Sequence, residues 1–280
     1  HATVSFPAHL PASSLNLALF FGLLNSETLG RGEMNIKLKG IKASLLGFLI
    51  VCFIIPVSVY AYRDWQANIL MQKGVNQMKY GNYRLAQDTL QKSLRLDFYP
   101  RQTYFYLGVT ERELKRNDKA LDYFEKCLGR FEPYKLYLQL GSLYLVQGDY
   151  ERADDNLKKF IDMEPEKGEK REARYLLARS ALGQGEAKRG EQILYEILRE
   201  DRNYHKAMIL LGSLRQKQGK IDEAIRIIER AQNTIEDKLK NVNSKITGTL
   251  PLDRYHELRS KKNTLENQKE ITEKALKELK

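Results

Sequence analysis

The sequence predicts an all-α chain of stacked helical hairpins, with one apolar helix near its start and a capping helix at its end. Three observations carry that expectation. Small residues recur at Gly74, Gly108, Gly141, Ala178 and Gly212, at intervals of 34, 33, 37 and 34 residues. Gly81, Gly148, Gly185 and Gly219 then fall a short way after four of them, where a turn between two helices uses a backbone that a β-carbon disfavours. Finally, 30% of the 280 residues are charged and only 7 are proline, a balance that suits helices and argues against a disordered chain.

The first 33 residues are expected to be a non-native or disordered extension. The chain opens on His1, and Met34 begins what reads as a genuine start, with Lys37, Lys39 and Lys42 ahead of an apolar run. Residues 15–24 are too few to cross a bilayer. Residues 43–62 differ: these 20 positions carry no charge, and as a helix they cover about 30 Å, the thickness of a hydrocarbon core. Pro56 is tolerable there, because membrane helices accommodate proline. Tyr60, Tyr62 and Trp65 gather at the far end, where amphipathic rings favour the headgroup layer. Residues 34–65 are therefore read as a transmembrane signal-anchor. The three lysines before the run outweigh Arg63 after it, which places the N-terminus in the cytoplasm and the rest on the outer, bacterial periplasmic side. A secretory signal cleaved after Val59 and Ala61 is the alternative, and it would release the chain.

From residue 66 to 238 the chain is a repeat array. Residues 134–167 show its fullest form. Tyr137, Leu140, Gly141 and Tyr144 mark a first helix, Gly148 and Tyr150 a turn, and Ala153, Leu157 and Phe160 a second helix ended by Pro165. The same set recurs backwards as Tyr104, Leu107, Gly108, Ala120, Phe124 and Cys127, and before that as Leu70, Gly74, Ala86 and Leu90. Forwards it recurs as Leu177, Ala178, Gly190 and Leu194, then as Leu211, Gly212, Ala224, Ile228 and Ala231. On these residues the chain resembles the tetratricopeptide-repeat (TPR) family, over about five repeats. The fourth repeat departs from the pattern, with Arg174 at a bulky aromatic site, Gly190 where alanine is usual, and a charged insertion over 164–170. A weak junction, or hinge, is expected there.

The resemblance implies a helical-hairpin solenoid whose first helices line a concave groove for a protein or peptide. The groove positions it implies are Met71, Val75 and Met78; Phe105, Val109 and Arg112; Leu138, Ser142 and Leu145; Tyr175, Arg179 and Leu182; and Ile209, Ser213 and Gln216. An apolar residue heads each set, which suits a hydrophobic or amphipathic segment. The family's carboxylate-clamp variant needs Lys and Asn where this chain has Met71, Val75, Phe105 and Val109, so an acidic chaperone tail is not the expected ligand.

Residues 239–280 form a C-terminal helical extension. The last repeat helix is expected to run to about Lys245 and to break over 247–251, before a final helix folds back upon it. Leu258, Leu265, Leu276 and Leu279 suit that fold-back, while Lys262, Lys269 and Thr272 spoil the register of a coiled coil. Coiled-coil pairing into a homo-oligomer is the alternative.

The residues hold no catalytic constellation. His205 and His256 lack metal-ligand spacing with any other His or Cys, and no phosphate-cradling glycine loop occurs. No enzyme activity, metal or cofactor is expected. Cys52 and Cys127 lie in different elements and form no disulfide framework. The net charge of +11 is spread by alternation in sign, which argues against nucleic acid. The expected role is a membrane-anchored scaffold, bound to the bilayer by residues 43–62 and holding a partner in envelope assembly, secretion or quality control. The alternative is a spacer whose basic surface meets anionic lipid or wall polymer.

Overall fold

A computed structural model describes residues 40–129, 132–246 and 250–279, with the side chains of 40–51, 252 and 253 outside the description. The extension expected over 1–33 and the break at 247–249 lie outside the described residues. Among the described residues, eleven helices follow one another and no strand occurs. They are α1 (Gly40–Lys79), α2 (Tyr83–Leu94), α3 (Arg101–Glu113), α4 (Asn117–Glu125), α5 (Leu136–Gln147) and α6 (Tyr150–Asp162). The series continues with α7 (Lys167–Gly183), α8 (Ala187–Glu200), α9 (His205–Lys217), α10 (Ile221–Ile246) and α11 (Leu252–Leu279).

Each helix packs on the next, and α5 also touches α7 while α7 touches α9. That pattern is a solenoid, in which one helix of each hairpin lines the inner layer and the other the outer layer. The small residues set its geometry. A β-carbon on Gly74 would lie 2.7 Å from Leu90, on Gly108 2.6 Å from Phe124, on Gly141 2.6 Å from Leu157, and on Gly212 2.5 Å from Ile228. The partner lies 16 residues further on in every case, so the three fullest glycines and Gly74 occupy equivalent places in successive hairpins. In the fourth hairpin the glycine has moved to the opposite helix: Gly190 faces Leu182 and the Ala178 carbonyl, at 2.7 and 3.2 Å from its would-be β-carbon. Arg174 occupies the aromatic site by pairing with Glu196 at 2.8 Å and Glu200 at 2.6 Å.

The turn glycines Gly81, Gly148, Gly185 and Gly219 all have φ between 75 and 83°. The second hairpin has no glycine there, and Lys115 takes the same left-handed backbone at φ 63°. The junction expected to be a hinge is tied across. The insertion is absorbed largely as an extra turn at the start of α7, while Glu169 pairs with Lys135 at 2.5 Å and Arg189 with Asp154 at 2.8 Å. Tyr150 also covers Gly183, its ring 2.4 Å from where a β-carbon would sit.

The core is nearly continuous along the array. Met71, Leu90 and Leu107 form its first part, Phe124, Leu140, Leu157 and Phe160 its middle, and Leu194, Ile197 and Leu211 the next. Beyond the last hairpin, Ile235, Leu239 and Val242 of α10 meet Leu258 and Leu265 of α11, the expected fold-back. Thr272, which breaks the leucine register, is itself fully buried and satisfies its hydroxyl on the Lys269 carbonyl at 2.7 Å.

Cys127 is a core residue at one of the small-residue sites, and burial pushes its thiol up to about 12. Since thiolate is the reactive form, a Cys52→Ser chain is expected to react with maleimide at pH 8 at least about a hundredfold more slowly when folded than when unfolded. Equal labelling rates in a stopped-time mass assay would contradict this placement.

Among the described residues no helix is long and apolar enough to cross a membrane. The run 43–62 lies partly outside them, because the side chains of 43–51 are not described. Of the remaining side chains of that run, Phe53, Ile55 and Val59 are each more than half exposed and Cys52 is exposed as well, while Ile54, Val57, Tyr60 and Ala61 are half-buried. The boundary expected at 65/66 falls inside α1, which passes through Pro56 and becomes the first helix of the first hairpin without a break.

Candidate groove site

The inner helices bring a concave cavity of about 490 Å³ together near the middle of the array. Six of the expected groove residues line it: Arg112 from α3, Leu138 and Ser142 from α5, Tyr175 and Arg179 from α7, and Ile209 from α9. They converge because each occupies the inner face of its own helix, and the stacking of hairpins sets those faces side by side.

The other groove positions do not line the cavity. Met71 is buried against Leu90 and Leu107, and Leu145 is a core residue 7% exposed, because each points between neighbouring hairpins and not along the concave face. Leu182 fills the space left by Gly190. Met78 packs against the first part of the core, and Phe105 and Val109 against the middle, with the Phe105 ring 5.6 Å from that of Phe124. Val75, Ser213 and Gln216 are half-buried elsewhere, the Ser213 hydroxyl bonding the Ile209 carbonyl at 3.0 Å.

Four lining residues of the inner helices escaped sequence reasoning: Gln139, Glu172, Leu176 and Lys206. Glu172 and Lys206 stand one helical turn before Tyr175 and Ile209, so periodicity on those faces was the available signal. The Lys206 ammonium donates to both Glu172 oxygens, at 2.7 and 2.8 Å, and the Tyr204 hydroxyl donates to the same carboxylate at 2.6 Å. Arg112 is held by Gln139 and, at 2.8 Å, by Glu113. Arg179 is exposed and makes no ion pair among the described residues, so the cavity keeps one uncompensated positive charge. Burial is the main cause that raises the Tyr175 hydroxyl, leaving it a neutral donor at physiological pH.

The remaining lining comes from α11, through Gln268 and Ile271. This helix does more than cap the last hairpin. Gln268 accepts a hydrogen bond from His205 at 2.6 Å, Lys269 pairs with Glu236 at 3.0 Å, and His256 meets the Tyr80 ring edge-on at 5.2 Å, beside the end of α1. The C-terminal helix thus reaches from the fifth hairpin back to the first and forms one wall of the cavity. Repeat spacing gives no sign of this wall.

The His205 imidazole lies beside the cavity wall. Lys238 donates to its Nδ1 at 3.0 Å, which leaves Nε2–H to donate to Gln268. Burial first, and the Lys238 ammonium second, hold it down to about 4, so it is neutral at pH 7. No group of His, Cys, Asp and Glu that could hold a metal occurs among the described residues.

One tetratricopeptide-repeat family model matches residues 71–134 and 138–205, and a second, also described as tetratricopeptide repeat, matches 181–242. The chain belongs to the tetratricopeptide-repeat family. The TPR matches begin inside α1, at residue 71, reach into each of the five hairpins and stop short of α11. Among curated proteins, the BBSome complex member BBS4 of Bos taurus is 28% identical over 145 residues, 52% of this chain. That match spans about a quarter of the relative's own length, 27%. Among solved structures, PilW, described as a widely conserved type IV pilus biogenesis factor, superposes with a TM-score of 0.54 at 18% identity, covering 62% of this chain and 81% of its own. MamA from Desulfovibrio magneticus RS-1 gives 0.51 at 18% identity, over 61% and 94%. Both likenesses concern the TPR fold.

Proposed function

We propose that this chain is a non-catalytic TPR scaffold that holds a short amphipathic segment of a partner protein in the concave cavity. The observation that carries the reading is the lining itself. Leu138, Tyr175, Ile209 and Ile271 offer apolar surface, and Arg179 stands among them with no ion-pair partner among the described residues. A partner side chain of aliphatic or aromatic character would be desolvated there, and a carboxylate on the same segment would meet the guanidinium. The volume suits one or two side chains and a turn of backbone, not a long helix, because α11 closes one side.

The test uses the full chain with a photo-crosslinking residue at Ser142. A discrete partner peptide is expected, and its yield should fall at least about tenfold in Leu138→Glu and Tyr175→Glu chains that still melt cooperatively. Undiminished crosslinking in those chains would defeat the reading. High salt discriminates the basic-spacer alternative, since contact with lipid or wall polymer through scattered surface charge would be lost and the apolar contact largely kept.

The scaffold reading includes an anchor. Residues 43–62 would cross the bilayer with the N-terminus in the cytoplasm and the repeats outside, near envelope assembly, secretion or quality control. The exposed Phe53, Ile55 and Val59 support it, as does the absence of charge from this stretch.

A further inference from the structure

The greasy surface at the start of the array is wider than α1 alone. The turn between α2 and α3, residues 95–100, returns alongside α1 at the level where the uncharged run ends. The Arg63 guanidinium donates to the Arg95 carbonyl at 3.3 Å, and the Ser93 hydroxyl to the Ala67 carbonyl at 2.7 Å, which fixes that level. Phe98 of the turn stacks on Tyr60 with ring centroids 4.3 Å apart, and Arg63 lies over the same Phe98 ring at 5.0 Å. Tyr99 is 77% exposed, and its hydroxyl interacts with that of Tyr60. On other sides of α1, Tyr62 and Trp65 lie 6.0 Å apart and are both more than half exposed.

The turn is built to hold this position. Asp97 accepts from the Tyr99 backbone N–H at 2.9 Å and from the Thr103 hydroxyl at 2.7 Å, so the two rings are presented by an ordered bend. A soluble inter-repeat turn has no need to display a phenylalanine and a tyrosine side by side. Positions 60 to 65 cover about 7.5 Å of helix, close to the roughly 5–7 Å of a headgroup layer on one side of a bilayer. Amphipathic rings with Arg63 and Arg95 among them suit that layer.

We infer that Phe98 and Tyr99 are a second membrane contact: with Tyr60, Tyr62 and Trp65 they form an aromatic collar seated among phospholipid headgroups. The inference rests on the anchored reading of residues 43–62. It adds that the first two hairpins lie against the bilayer in a fixed orientation, because α1 passes from the apolar run into the array without a joint.

Trp65 is the single tryptophan of the chain, so wild type reports on α1 and a Trp65→Phe, Tyr99→Trp chain reports on the turn. A Trp65→Phe, Val146→Trp chain reports on an exposed site in the third hairpin. All three full-length chains would be reconstituted in phosphatidylcholine–phosphatidylglycerol vesicles brominated near the headgroup. The reporters at 65 and 99 are expected to lose about half their emission and the one at 146 to be unaffected. Quenching at 65 without quenching at 99 overturns the collar and leaves the anchor standing. No quenching at either site overturns the anchored reading and the collar with it. Equal quenching at all three means general adsorption, which also overturns the collar.

Discussion

Replacing Phe124 with alanine is expected to lower the unfolding free energy by about 3–5 kcal/mol. Its ring is fully buried, sits in the concavity that Gly108 leaves on α3, and touches Phe105. No neighbour can collapse into the gap without moving a helix, so the void persists. The loss falls within the second hairpin, whose core continues into Leu136 and Leu140 of the third, and a stacked array depends on each such unit in series. Urea titration monitored by circular dichroism should show the earlier midpoint. A change below about 1 kcal/mol would mean that the ring is not the wedge the geometry makes it. The same contact predicts a sign reversal. Gly108→Ala alone must push a β-carbon to within 2.6 Å of the ring and should destabilise. In the Phe124→Ala background the clash is gone, and the same change should stabilise by about 0.5–1 kcal/mol through helix propensity.

Acid should loosen the far end of the molecule through His205. Its native pKa of about 4 lies below the ordinary 6.5, so the unfolded chain takes up the proton first. The contribution of this group is therefore complete above pH 6.5, declines as pH falls from 6.5 towards 4, and changes no further below that. Partial solvent access reduces the full linkage value to on the order of 2 kcal/mol. Lys238 from α10 and Lys206 from α9 face the new charge, Asp201 offsets them in part, and Gln268 from α11 is the hydrogen-bond partner at stake. Depressed carboxylates such as Glu191 and Glu236 also weaken the fold in acid, so the informative quantity is a difference. Between pH 7 and pH 4 the wild-type chain should lose about 2 kcal/mol more than a His205→Gln chain, measured by urea midpoints. Parallel curves for the two chains would remove His205 from the account.

The spacing of Gly74, Gly108, Gly141 and Gly212 was enough to read the fold, because helix approach leaves no room for a β-carbon and the demand repeats with the hairpin. Even the irregular fourth repeat was visible as an irregularity. Its remedy was not: the exchange of small residues between Ala178 and Gly190 turns Leu182 from a groove position into core. Pattern alone places a side chain on a helix face, and cannot say whether that face meets solvent or the next hairpin, as Met71 and Leu145 show. The six inner-face residues that do line the cavity were among the positions the family resemblance implied. Gln268 and Ile271 were not, since their arrival depends on where α11 lands after a turn, a long-range outcome with no period to betray it.

An ordinary stack of hairpins behaves as a spring, because neighbours alone are joined and the pitch can breathe. Here α11 runs as a chord, touching Tyr80 just past the end of α1 and His205 at the start of α9. Stretching or twisting the coil would first have to unseat that chord, so the curvature offered to a guest is set before the guest arrives.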